Sequence, residues 1–335
     1  MTYDCFPFFN ELDLLEIRLN ELSGVVDRFV LAEAELTHNG DRKPLYFDKH
    51  KDRFANFADK IIHIIVREED FSFAASGATF QERAWMRENI QRNAISRGLA
   101  DAKYDDLVIV SDLDELPRSM SVTYAKEVIK DGEVLGFTLN AYNFYANLRN
   151  VSDPFWGNDP KMATVRTFRN AFAYESSPYS HFVLRTVNEG QTATRFRFIK
   201  PTKRLSNAGW HFSYLGGAKA AVAKVRAFNE MGLYARANLD EFVKKRIAQG
   251  KALFGGDHFL AEALDQTFPE YLFDNQEKFS HLIVQQVPHQ DVRMRLLRSW
   301  FGLTASVRRF VMRILFALTP RCIRKIAKRI MGIET

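Results

Sequence analysis

The chain has 335 residues, 46% hydrophobic and 26% charged. These are ordinary globular values that exclude wholesale disorder and leave room for one large α/β domain with appendages or two small domains. Its two cysteines, Cys5 and Cys322, lie at opposite ends, which excludes a disulfide framework or a cysteine-rich zinc site and fits a reducing compartment. The net charge of +6 is unevenly spread. Eleven of the 47 Lys/Arg but one of the 41 Asp/Glu fall in 293–335, leaving 36 basic and 40 acidic residues before that point. A mildly acidic body lacks the phosphate-neutralising charge of a nucleic-acid surface, so no nucleic-acid partner is expected.

The first nineteen residues lack a basic n-region and an unbroken apolar run, so no signal peptide is expected. The most apolar window, 300–318, is interrupted by Arg308, Arg309 and Arg313, which argues against a spanning helix. In chain order, Asn10 can cap a helix over 11–23, with Leu12, Leu15, Leu19 and Leu22 at helical spacing. The β-rich run 25–34 ends at Glu33 and is followed by a turn at Thr37-His38-Asn39-Gly40. Residues 60–66 read as a second strand. Residues 80–99 read as the clearest helix, with Gly98 as its C-cap candidate. The run 105–117 is a short buried strand that leads into carboxylates and Pro117, so strand, helix and strand predict a βαβ unit in a mostly parallel sheet. Further on, 134–148 reads as an antiparallel strand or hairpin with 162–168 as its partner. Helices are expected over 216–232 and 239–254, and 268–283 closes the body as a helical end. The organisation is therefore a domain over 1–285 and a tail over 286–335.

Ser111-Asp112-Leu113-Asp114-Glu115 stands where the apolar strand 107–110 should surface. Ligands of open α/β sheets bind at the carboxyl ends of strands. Asp112 and Asp114, two apart, can aim both carboxylates at one hard cation that bridges a nucleotide's phosphates. Taken alone, such a pair reads equally as a solvated acidic loop.

Other blocks add to this turn. They are Phe29–Ala34 with Thr37 and Lys43–Phe47; the helix Trp85–Gly98; Val110–Pro117; and Ala208–Ser213, with a weaker block from Pro269 to Phe279. In this order, over about residues 3–285, the chain resembles glycosyltransferase family 17. The resemblance implies a GT-A-like nucleotide-sugar fold, a divalent metal (Mn²⁺ or Mg²⁺), a UDP-sugar donor and inversion at the anomeric carbon. The donor expected is UDP-GlcNAc or a close relative, and the acceptor, which the resemblance leaves open, is expected to be a glycan or lipid-linked glycan. It places Asp112 and Asp114 on the metal motif and makes His211 the third-ligand candidate, a core histidine being the competing reading. Donor-binding candidates are Glu33, which could hydrogen-bond uracil or ribose; Arg92, which could reach the diphosphate with Glu88 holding it; Asn93; and Trp210. A strand-end carboxylate for Glu33 and a surface ion pair for Arg92 remain open.

Inverting transfer also needs a carboxylate base on the face opposite the leaving group. Asp257, in the glycine-flanked loop Phe254–His258, is preferred; Glu115, Asp240 and Glu241 are the alternatives, Glu115 being equally suited to shaping the metal ligands' surroundings. In the tail, Trp300, Val307, Phe310, Ile314 and Leu318 share one helical face, with Arg298, Arg309 and Arg313 opposite. A basic amphipathic helix of this kind predicts attachment to an anionic membrane surface, and with it a cytoplasmic enzyme on the inner face of the membrane. The competing readings are a stripe docked on the enzyme body, a nucleotidyltransferase of similar fold, and an inactive peripheral membrane scaffold.

Overall fold

The structure, a computed structural model, describes residues 1–71, 78–157, 160–171, 192–228, 233 and 236–284. The tail 293–335 lies outside the described residues. The rest is a mixed α/β fold, consistent with a Rossmann-like arrangement.

Two sheets organise the described residues. The first has the order β11-β6-β10-β4-β1-β2-β3, with β1 (Thr2–Phe8), β2 (Arg28–Ala34), β3 (Ile61–Val66), β4 (Leu107–Val110), β6 (Leu135–Phe137), β10 (Lys161–Thr164) and β11 (Lys203–Leu205). Strands β4, β1, β2 and β3 run parallel, whereas β10 is antiparallel to both β4 and β6. The second sheet has the order β13-β8-β7-β12-β5, with β5 (Glu115–Pro117), β7 (Leu139–Asn143), β8 (Leu148–Asn150), β12 (Gly209–Ser213) and β13 (Phe259–Ala261); β9 (Phe155–Trp156) joins it on β7.

The alternation of side chains explains why the parallel strands are mostly apolar on both faces. Successive residues of a strand point to opposite faces, and a sheet covered on both sides needs apolar groups at each position. Phe6, Phe8, Phe29, Leu31 and Ile109 enter one core with Leu14, Leu15, Ile17, Leu19 and Leu22 of the helix Leu12–Leu22. Their neighbours Cys5, Val30, Ala32, Val108 and Val110 enter the other, with Ala94, Ile95, Leu99 and Phe196. A third cluster packs the helices Gly217–Ala227 and Leu239–Ala248 against Phe144, Leu148 and Phe259.

The expected βαβ unit is present as β3, the helix Phe80–Asn93 and β4. A capping box between Thr79 and Glu82 starts the helix. The helix stops earlier than expected, at Asn93, and continues as a 3₁₀ turn over Ala94–Leu99. Gly98 is consequently not its C-cap. A Cβ there would meet Val30 Cγ1 at 2.4 Å, so this glycine lets the turn lie directly on the sheet. The expected strand or hairpin over 134–148 is divided between sheets. Strand β6 pairs with β10 in the first, as the partnership with 162–168 predicted, and β7 belongs to the second. The β6–β7 connection thereby carries the chain from one sheet to the other.

Candidate functional site

Strand β4 ends at Val110, and the chain reverses through 111–114 into β5. A single buried arginine holds this reversal in place. Arg18, fully buried on the helix Leu12–Leu22, donates from Nη1 to the carbonyls of Asp112 (3.1 Å), Leu113 (3.1 Å) and Glu115 (2.8 Å), and from Nη2 to Ser111 Oγ (2.6 Å). Its charge is matched by Asp4 of β1, bidentate at 2.8 and 2.6 Å and equally buried. A guanidinium's fixed fork of donors suits several carbonyls at once, which a lysine cannot match. The turn's carbonyls are occupied from below, and its carboxylates face outward.

Above the turn lies a cleft of about 540 Å³, lined on one side by Phe8, Phe9, His38, Glu88, Gln91 and Arg92, and on the other by Asn143, Trp156, His211, Ser213, Tyr214 and Leu253. Asp112, Asp114, Glu11 and Lys224 line it between these walls. Asp112 pairs with Arg92, itself held by Glu88 at 2.7 Å, and with Arg197 at 3.1 Å. Burial alone would raise the Asp112 carboxyl, but Arg197 and Arg92 outweigh it and hold the group far below the usual carboxylate range. Asp114 accepts from Lys224 Nζ at 2.7 Å, and its other oxygen lies 3.7 Å from His211 Nε2. Burial again opposes ionisation, and Lys224 and His211 lower the Asp114 carboxyl in spite of it. Lys224 also lies 3.4 Å from Glu11.

Local backbone geometry sets His211 opposite the turn. Gly209, with φ +154°, opens β12 where a Cβ would meet Leu116 O at 2.1 Å, so only glycine allows β12 this close to β5. Two residues on, His211 is in register with Glu115. Its ring lies 4.0 Å from that of Trp156, its Nε2 is 3.0 Å from Ser213 Oγ, and burial keeps its pKa below the ordinary histidine value.

The structure brings Arg92, Asp112, Asp114 and His211 together at this cleft. The other expected site residues stand elsewhere, each for a visible reason. Glu115 is a fully buried support beneath the cleft, held bidentately by Arg197 and by Trp156 Nε1 at 2.6 Å. Glu33 is also fully buried, with one oxygen accepting from Phe47 N at 3.1 Å and the other 3.1 Å from His63 Nε2. Both of its oxygens are thus committed within the protein rather than to uracil or ribose. Asn93 is off the cleft and accepts from Thr194 N at 2.9 Å. Trp210 points from β12 into the core, 1% exposed, under Arg118 at 4.2 Å. Asp257 is engaged by Asn150 Nδ2 at 3.0 Å, and it is its loop neighbours Ala252, Leu253 and Phe254 that line the cleft. Asp240 pairs with Arg226 on the surface at 3.0 Å.

A divalent cation is tested by the donor set. The carboxylates Glu11, Glu88, Asp112, Asp114 and Glu115 outnumber the cations Arg92, Arg197 and Lys224, so the region suits added positive charge. Asp114 and His211 are spaced to share one ion. The full trio with Asp112 is not gathered, because two arginines hold Asp112, and among the described residues no group of three or more His, Cys, Asp or Glu side chains converges as a metal site. Arg18, Arg197, Lys224, Glu11 and Trp156 were not anticipated from sequence. Arg18 had a signal, a charged residue on the stripe of Leu14, Leu15 and Leu22; the others had none.

Comparison with known proteins identifies the family. The human β-1,4-mannosyl-glycoprotein 4-β-N-acetylglucosaminyltransferase is 23% identical over 312 residues, which is 87% of this chain and 56% of that protein. The rat protein of the same name is 29% identical over 119 residues, 35% of this chain and 22% of its own length. The chain thus spans about half the length of the human relative it matches. The family model of glycosyltransferase family 17 matches residues 1–186, which hold β1 to β4, the acidic turn and Arg92. The chain belongs to glycosyltransferase family 17.

Proposed function

We propose that the cleft transfers a sugar, GlcNAc from UDP-GlcNAc or a close relative, to a hydroxyl of a glycan or lipid-linked glycan, with inversion and on a GT-A-like fold. The observation that carries this reading is the acidic turn itself. Asp112 and Asp114 leave the carboxyl end of a central parallel strand and enter a cleft lined by Arg92, Lys224 and His211. Family membership and the names of the relatives support the donor class.

In this reading the donor's diphosphate lies over the turn. Arg92, which keeps Glu88, and Lys224 exchange other carboxylate partners for phosphate oxygens and stabilise the charge that grows on the leaving group. Asp114 and His211 would hold a divalent cation, with Asp112 joining if it releases an arginine, and the bound ion would add Lewis-acid neutralisation of the diphosphate. The acceptor oxygen forms its bond to the anomeric carbon as the carbon–oxygen bond to the diphosphate breaks, and the acceptor proton passes to a carboxylate on the opposite face. Glu11 is the assignment for that base. It is a cleft carboxylate bound to no arginine among the described residues, with Asn10 N at 3.1 Å and Lys224 at 3.4 Å. The basic stripe of 293–335 would keep the enzyme on an anionic membrane surface, at the inner face of the membrane, near a lipid-linked acceptor.

The test is donor turnover by purified protein with UDP-GlcNAc and Mn²⁺, read as UDP release, for wild type and Asp114→Asn. The expected result is a loss of roughly 10²–10³-fold, with the melting curve confirming that the variant is folded. Near-normal turnover in the variant, or no turnover of any UDP-sugar by wild type, would overturn the assignment.

A further inference from the structure

The wall of the cleft formed by His38, Glu88 and Gln91 is not used by the reaction described above, and its hydrogen bonds fix its chemistry. Gln91, 4% exposed, donates both amide hydrogens from Nε2, to Phe8 O and Ala32 O, each at 2.9 Å. Its orientation is therefore determined, and Oε1 is left as an acceptor facing His38 Nε2 at 3.1 Å. The histidine must carry its proton on Nε2, and Nδ1 is a bare lone pair. His38 is 8% exposed, and Nδ1 has no hydrogen-bond partner. Burial lowers its pKa, so the ring stays neutral at pH 7. Contact with Phe228, at 4.4 Å between ring centroids and 83° between planes, holds the ring in place.

Beside this lone pair stands a second acceptor. Glu88 Oε2 lies 3.9 Å from His38 Nδ1, too far for a hydrogen bond, and with neutral imidazole the two repel. Glu88 cannot turn away freely, because its other oxygen is bound to Arg92 at 2.7 Å, and Arg92 is in turn bound to Asp112. Both His38 and Glu88 line the cleft. Two acceptors held side by side at the edge of a cleft, one of them an unpartnered buried nitrogen, are complementary to two adjacent hydrogen donors. Vicinal hydroxyl groups supply such a pair. Phe9 and Phe228, 5.3 Å apart and nearly perpendicular, add an apolar surface beside them that suits a nucleobase.

We propose that His38 Nδ1 and Glu88 Oε2 read the 2′,3′-diol of the donor's ribose, with the base against Phe9 and Phe228 and the diphosphate over Arg92 and the acidic turn. The assignment rests on the nucleotide-sugar reading above and adds to it a specificity. Ribonucleotide donors are selected over deoxyribonucleotide donors, because a missing hydroxyl leaves one desolvated acceptor unpaired.

The experiment is titration calorimetry of the full chain with UDP, 2′-deoxy-UDP and 3′-deoxy-UDP, in the presence of Mn²⁺. Each deoxy analogue should bind wild type about tenfold or more weakly than UDP. In His38→Ala, UDP affinity should fall and the preference for UDP over 2′-deoxy-UDP and 3′-deoxy-UDP should shrink for at least one of them, with the melting curve reporting folding. Equal binding of UDP and both deoxy analogues by wild type overturns the diol assignment and leaves the donor site standing. Because that comparison needs no variant, poor folding of His38→Ala does not shield the proposal from it. Discrimination that persists unchanged in folded His38→Ala overturns the assignment too, by showing that other groups read the ribose. Absence of UDP binding overturns the nucleotide-sugar reading and this one together.

Discussion

Glu33 and Asp112 make an instructive pair. Each lies at the carboxyl end of a parallel strand, β2 or β4, and these strands flank the same central β1. Their fates differ because of what the chain does next. After β2 the segment folds back, so that Phe47 N and His63 take both Glu33 oxygens and Lys43 comes within 3.8 Å. After β4 the chain reverses at once, pinned by Arg18 through its carbonyls, and the Asp112 side chain, although Arg92 and Arg197 pair with its two oxygens, keeps 33% exposure in the cleft. A carboxylate at a strand end is an opportunity for binding. Whether it is used within the protein or offered to a ligand depends on the return of the chain.

The comparison breaks most visibly at Arg18. Arg18→Met strands the buried Asp4 carboxylate and releases the turn, which should cost about 3–5 kcal/mol in denaturant unfolding. A loss below about 1 kcal/mol would mean that the reversal does not depend on this arginine. Next in size is the direct contrast. Glu33→Gln should lower stability by about 1–3 kcal/mol and leave UDP affinity unchanged, whereas Asp112→Asn, which also gives up its ion pairs with Arg92 and Arg197, should weaken turnover. Equal effects of both variants on turnover would erase the distinction between the two strand ends. The smallest effect is on pH dependence. Burial holds the His38 pKa below its unfolded value, so on acidification the unfolded chain takes up a proton that the folded chain refuses. That part of stability is complete above about pH 6.5 and declines below it, until the folded pKa is reached. Melting temperature should fall between pH 7 and 5, less steeply in His38→Gln; identical slopes would show that His38 does not stay neutral when folded.

The acidic turn, its placement after a buried strand and the β3–helix–β4 unit were legible because each is local in sequence. Strand β1 was not, although it lies at the centre of the sheet. Its run carries Asp4 and Pro7, both unfavourable in a central strand. Two distant facts excuse them. Asp4 is neutralised by Arg18, fourteen residues on. Cys5 O accepts from Ser111 N on the β4 side, and Pro7, two residues later on that side, lies past the end of β4. The remaining differences also arise from chain reversal. Asp257 reads as free in its glycine loop, yet the fold brings Asn150 to it. Trp210 and His211, adjacent in sequence, point to opposite faces of β12, so only one of them could reach the cleft.

The central claim is that the two walls of one cleft bind one nucleotide. The most direct measurement is UDP affinity, by calorimetry with Mn²⁺, for Arg92→Met on the first wall and His211→Ala on the second, beside Glu33→Gln and Asp257→Asn as residues placed outside the cleft. The account predicts that both wall variants lose about tenfold or more, while the two outside variants bind as wild type does. Loss of affinity confined to Glu33→Gln or Asp257→Asn, with both wall variants unaffected, would contradict it.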